Sequence, residues 1–246
     1  MPINAFTVFL FALLTAVATG LGALPFLLFR SVTRPWLGIG SAIAAGLMTA
    51  ASIGLLIEGA ERGFWGTILG VGIGLVFMIA GHRWLEGRSD VEMGRLGGAD
   101  ARKALLVIAV MTVHSISEGV GVGVSFGGGA TLGVFITIAI AVHNIPEGLA
   151  ISLVMVPRGE SVGRAAAWSV FSSLPQPLFA VPAYLFVAAF DGLLPAGLGF
   201  AAGAMLWMVV AELVPEARRD APGNSAAWTG FLAVVAMLAF QAWLHG

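Results

Sequence analysis

Not one of the 246 residues is a cysteine. Disulfides and thiolate metal ligands are therefore excluded, and cysteine usage gives no guide to the redox compartment. Charge is nearly as scarce: 10% of the residues are Asp, Glu, Lys or Arg, 59% are hydrophobic, and the mean hydropathy is +0.97. A soluble domain carries roughly 25% charged and roughly 45–50% apolar residues. This composition excludes that class and implies an integral membrane protein. The formal net charge of −1 says nothing about nucleic acid or acidic partners; for a membrane protein of this kind nucleic acid is not an expected partner. A basic segment ahead of the first apolar run is also missing; the first positive charge, Arg30, follows it. The N-terminal stretch is expected to be a retained membrane helix rather than a cleaved leader.

Alternating strand patterns are absent, and in lipid an open chain satisfies its backbone only as helix. A spanning helix needs about 20 mostly apolar residues. Eight runs qualify: 5–29, 36–57, 64–82, 104–125, 131–156, 163–189, 196–214 and 226–244. The expected fold is an all-α integral membrane protein of eight transmembrane helices, a single domain over 1–246. Its connectors are short except for a loop at about 83–103.

Basic residues fall in alternate connectors. Arg30 and Arg34 lie in the first, Arg83, Arg88, Arg95, Arg102 and Lys103 in the third, Arg158 and Arg164 in the fifth, Arg218 and Arg219 in the seventh. Only Arg62 lies on the opposite side. The positive-inside rule makes the populated side cytoplasmic and puts both termini outside. AAGLM at 44–48 echoes AAGAM at 201–205, and HSISEG at 114–119 echoes HNIPEG at 143–148. Each pair joins runs of opposite direction, the pattern of inverted repeats around a midplane binding site.

Charge within the apolar runs is where chemistry is expected. His114 and Glu118 are four residues apart, as are His143 and Glu147, so each pair shares one helix face. A charged group at the bilayer centre costs at least about 2.5–3.5 kcal/mol. Apart from Arg164 at the very start of the sixth run, no Lys or Arg lies within the eight runs to offset it; a divalent metal does. Two neutral imidazoles and two carboxylates hold such an ion at zero net charge. The plainer alternative is that each His–Glu pair is a self-contained hydrogen-bonded unit that packs helices. Pro146 leaves the Val142 carbonyl without its helical donor beside His143, and Pro175 and Pro177 flank Gln176. Glycines at 70, 72 and 74 and at 119, 121 and 123 read as close helix approaches. Met48 alone reads as core or lipid-facing. Glu212 reads as an end residue reaching for water, with an exit ligand as the alternative, and His82 and His245 read as interfacial. The H-E-x-x-H signature is absent and no carboxylate is left over as a base, which counts against an intramembrane metal hydrolase. A proton or solute carrier built on His–Glu relays without metal is the other alternative.

TGLGALP at 19–25, AAGLMTAAS at 44–52, HSISEG, HNIPEGLAIS, SSLPQP at 172–177 and GFAAGAMLWMVVAELVPE at 199–216 resemble helices one, two, four, five, six and seven of the ZIP (Zrt/Irt-like protein) divalent-metal transporters, in particular the GufA-type branch. The resemblance covers nearly the whole chain. It implies eight helices, outside termini, a homodimer, and movement of metal into the cytoplasm across a plasma or inner membrane. Carried over by position, the metal site is His114, Glu118, His143 and Glu147, with Met48 nearby. Many relatives have an adjacent second site at the positions occupied here by Ser115, Asn144 and Gln176, all uncharged. A second dication would share only Glu118 and Glu147, leaving excess positive charge in a low dielectric. One well-formed site is expected, with those three as weak polar ligands. Zinc is the expected ion, transported rather than kept as a cofactor; iron, manganese and cadmium also fit. The 83–103 loop lacks the histidines of many relatives, so no metal-sensing role is expected of it.

Overall fold

The computed structural model describes residues 3–29, 33–86 and 99–245. Among them every regular element is helical. Helix α1 (Ala5–Gly20) continues through a 3-10 turn (Leu21–Ala23) into α2 (Pro25–Leu28). There follow α3 (Arg34–Glu86), α4 (Ala99–Gly128), α5 (Ala130–Met155), α6 (Val162–Ser173), α7 (Pro175–Ala189) and α8 (Leu194–Met208). A π-helical turn (Val209–Leu213) leads to α9 (Val214–Asp220), and α10 (Ser225–His245) closes the chain. Of the expected 83–103 loop, residues 87–98 lie outside the described residues; its flanks are helical, as the ends of α3 and α4.

Helix starts follow local chemistry. Asn4 caps α1, its side chain accepting from the Thr7 N–H at 2.8 Å, and Ser161 caps α6 by accepting from Arg164 N–H at 3.2 Å. Pro25, Pro175 and Pro195 sit in first turns, where no helical N–H is needed. Only Gly129 separates α4 from α5, at φ 134°, a conformation L side chains rarely adopt. The two helices that carry the His–Glu pairs are thereby joined antiparallel through one residue.

Among the described residues, seven stretches are long and apolar enough to cross a membrane, where eight were expected. The difference lies in α3, which takes in both the 36–57 and the 64–82 runs over 53 residues. A straight helix of that length would reach about 80 Å, against roughly 30 Å of hydrocarbon. It is not straight. Gly63 leaves the helical region at φ 176°, ψ 94°, and a Cβ at Gly59 would lie 2.8 Å from Thr67 Oγ1. Along a straight helix those positions stand about 12 Å apart, so the chain doubles back at Gly63. The connector is short enough for helical bonding to run into it from both sides.

The core is apolar and close-packed: Met48, Leu55, Phe135, Ile136, Ile140, Met205 and Met208 are fully buried, whereas α10 turns Trp228, Phe231 and Leu232 outward. Backbones touch where the repeated glycines lie. Gly148 rests on the Thr19 carbonyl of α1, and Gly119 rests on the Gln176 backbone of α7. Gly70 and Gly74 of α3 meet the Ala196 and Phe200 carbonyls of α8, and Gly199 and Gly203 return the contact on Thr67 and Val71. This is small-residue packing of membrane helices. Gly72 faces open space and takes no part in it.

A methyl group at residue 148 would overlap the Thr19 carbonyl oxygen. Gly148→Ala is expected to destabilise the fold by about 1–3 kcal/mol, read as a lowered melting temperature of the purified protein. Gly72→Ala is expected to stay within about 0.5 kcal/mol of the parent.

Candidate metal centre

Helices α4 and α5 place Glu118, His143 and Glu147 in one buried group whose ligand atoms all lie within 4.8 Å of one another. His143 Nε2 is 3.1 Å from Glu118 Oε1 and 3.3 Å from Glu147 Oε1. Ligands held about 2.0–2.2 Å from zinc stand no more than about 4.4 Å apart, so a small closure of this group accommodates an ion. One imidazole and two carboxylates also suit iron and manganese. Among the described residues, Glu147 Oε2, Asn144 Oδ1 and Ser115 Oγ are buried without a hydrogen-bond partner. Orphaned acceptors of this kind call for a ligand.

Of the four residues matched to the site by position, His114 lies apart from the other three. It is buried on α4, one turn toward the α4 start from Glu118, and its Nε2 is 3.1 Å from Glu212 Oε1. His82 Nδ1 approaches the same carboxylate oxygen at 3.4 Å. Glu212 is thus not an end residue reaching for water: its side chain is 21% exposed and sits between two imidazoles. Nor is His82 merely interfacial. The cause is the π-helical turn Val209–Leu213. A wider turn changes which face a side chain takes, and Pro215, lacking an N–H, cannot close an ordinary helical turn there. Proline three residues after Glu212 is the sequence signal for it. Met48 is fully buried on α3.

Two of the three uncharged positions, Asn144 and Gln176, form part of a hydrogen-bond network. Gln176 Nε2 donates to Glu118 Oε2 at 2.5 Å. Gln176 Oε1 accepts from Thr15 Oγ1, and from Asn144 Nδ2 at 3.2 Å. Asn144 Nδ2 also donates to the Thr15 carbonyl at 2.8 Å. Thr15, Asn144 and Gln176 are all buried. The Gln176 amide therefore engages one oxygen of Glu118 while the other faces His143. Ser115 is buried on α4 outside these bonds. Thr15 is the residue that reading along the sequence misses. Thr15 and Thr19, four apart in an otherwise apolar run, were the available sign, and Thr19 Oγ1 meets Ser173 Oγ at 2.8 Å.

The family described as ZIP Zinc transporter matches residues 86–239. The chain is 47% identical over 251 residues to the putative zinc transporter At3g08650 of Arabidopsis thaliana, covering 99% of this chain and 40% of that protein. It is 34% identical over 224 residues to zinc transporter GufA of Myxococcus xanthus, covering 85% of this chain and 87% of that one. With zinc transporter ZIP11 of Homo sapiens it shares 36% identity over 163 residues, 61% of this chain and 46% of that protein. The matches thus take in less than half the length of the plant and human relatives and most of GufA. A buried cluster of two carboxylates and an imidazole, in a family match that spans it and a relative alike over most of both lengths, leads to one conclusion: the chain belongs to the ZIP zinc transporter family.

Proposed function

We propose that this chain carries zinc into the cytoplasm through the group formed by Glu118, His143 and Glu147. The observation that carries the reading is two buried carboxylates facing one imidazole with, among the described residues, no Arg or Lys in contact. A transported dication supplies the missing positive charge. His114 and Glu212 are the next polar station along α4, toward the basic end of the bundle, and receive the ion on release. Met48 lines the surroundings, and Ser115 is a weak polar ligand. Iron, manganese and cadmium are the competing ions for the same donor set.

The Gln176 amide occupies the side of Glu118 where an adjacent second ion would bind, and Asn144 and Thr15 hold it there. A neutral donor takes the place of a cation, so one ion per chain is the expected load. The membrane topology has eight spans, with α3 counted as two about Gly63. Both termini lie outside, as the distribution of arginine supports, and the two halves are related as an inverted repeat. The chain resides in a plasma or inner membrane, and a homodimer is the assembly the family resemblance implies.

Proteoliposomes holding the purified chain are expected to take up zinc. Glu118→Ala, His143→Ala and Glu147→Ala each lose a ligand, and uptake should fall by about tenfold or more. Uptake undiminished in all three would sink the proposed site, and a protein that binds no zinc but leaks protons would favour the relay.

Zinc bound at equilibrium should be one ion per chain. Gln176→Glu adds a carboxylate beside Glu118 and is expected to raise that count toward two, while Gln176→Ala leaves it unchanged. Two adjacent ions in the parent protein would refute the one-ion reading.

Because the chain has no cysteine, single introduced thiols report topology. A membrane-impermeant maleimide applied to whole cells should label Glu61→Cys and Gly192→Cys, and spare Glu160→Cys and Asn224→Cys. Protection of Glu61→Cys would rule out eight spans.

A further inference from the structure

On the side of α4 and α5 that leads to the basic connectors, a cavity of about 460 Å³ opens. Its apolar wall includes Met111, three residues before His114, and Ala150, three residues after Glu147. It therefore begins one helical turn from the metal centre. Around its mouth stand Arg34, Arg158, Glu216, Arg219 and Asp220. Three arginines against two carboxylates make the rim formally positive, an unfavourable surround for a departing dication.

The carboxylates form a series. Glu212, Glu216 and Asp220 are four residues apart, about one helical turn and 6 Å each, and each rung has its own partner. Glu212 meets His114 and His82. Glu216 Oε2 accepts from Ser41 Oγ at 2.7 Å. Asp220 takes the arginines: Arg219 donates to it through Nε at 3.3 Å and Nη2 at 3.2 Å, and Arg34 Nη1 stands 3.6 Å from its Oδ1. A fork of two parallel bonds is the strong form of this pairing. The Asp220 side chain is 5% exposed, whereas those of Arg34 and Arg219 are 69% and 63% exposed. The acceptor is thus fixed inside and the cations converge on it from the rim. Arg158 is turned to the backbone, its Nη1 donating to the Val154 carbonyl at 2.6 Å. Arg219 has a second carboxylate in reach, Glu216 at 3.8 Å.

We propose that Asp220 is a positioning residue for ion release: it holds Arg34 and Arg219 to itself and so keeps Arg219 from closing further on Glu216, the carboxylate that receives the cation. Without Asp220, Arg219 has Glu216 as its nearest carboxylate, and Arg34 is left uncompensated on the path. The same contact ties the end of α9 to the start of α3, at the mouth of the cavity. This proposal rests on the transport reading above.

The test compares Asp220→Asn with the triple variant Asp220→Asn/Arg34→Gln/Arg219→Gln in proteoliposomes, with equilibrium zinc binding measured on the same preparations. Asp220→Asn is expected to lower the maximal uptake rate by about tenfold and leave zinc affinity within about twofold. The triple variant should return to within about twofold of the parent rate. Raising the salt from about 0.01 M to about 1 M shortens the Debye length from about 30 Å to about 3 Å, and should recover the single variant while leaving the triple unchanged. A purely structural role for Asp220 would give no recovery by salt or by removing the arginines. The proposal is overturned if Asp220→Asn transports at the parent rate, if the triple variant is as slow as the single one, or if zinc affinity is lost together with rate. If the parent protein binds and moves no zinc, both this inference and the transport reading fall.

Discussion

Two carboxylates enclosed in a helix bundle, with no Lys or Arg beside them among the described residues, set the terms for the rest of the molecule. Glu118 and Glu147 are almost wholly removed from solvent, and an isolated carboxylate in such a place is strongly disfavoured. Their relief comes from the His143 ring between them, from the Gln176 amide and from the Thr15 groups that hold that amide. Each of these needs a different helix held at a fixed distance: α5 for the ring, α7 for the amide, and α1 for the Thr15 groups that orient the amide. The glycine contacts serve this requirement, because ligands a few ångströms long reach one another only when backbones nearly touch.

Neutral hydrogen-bond donors and metal ions are alternative answers to the same electrostatic problem. A donor such as the Gln176 N–H stabilises one carboxylate oxygen permanently and cannot be transported. A dication stabilises several oxygens at once and can leave. The Gln176 amide keeps Glu118 oriented through one oxygen, while the oxygen toward His143 stays available.

Much of this was legible in the sequence, and what was not has physical causes. The membrane runs could be read because length and apolarity are local properties of a spanning helix. The α3 reversal could be placed as a break between two runs, but helical bonding continues into the turn, so the structure presents one long element with a bend at Gly63. Glu118, His143 and Glu147 were readable because residues four apart share a helix face. His114 matches the same spacing and still points elsewhere, since facing a common side of a helix does not fix which neighbour is met. Its partner Glu212 was misread because a π-helical turn shifts the face by an amount that regular periodicity does not contain. The Thr15–Gln176 bond joins residues 161 positions apart, and polarity within an apolar run says only that a side chain faces protein, not which one.

The glycine after each glutamate has a consequence for motion. Gly119 is seated on α7 and Gly148 on α1, directly beside the ligands, and α3 and α8 are seated on each other through their own glycines. Helices that interlock backbone to backbone leave no clearance for sliding. Any relative displacement within the bundle must therefore take α1 with α5 and α7 with α4. The second half of α3 stays with α8. Between these blocks glycines meet side chains instead of backbone, Gly121 against Ala201 and Gly197 against Val124, and it is there that the bundle has freedom to yield.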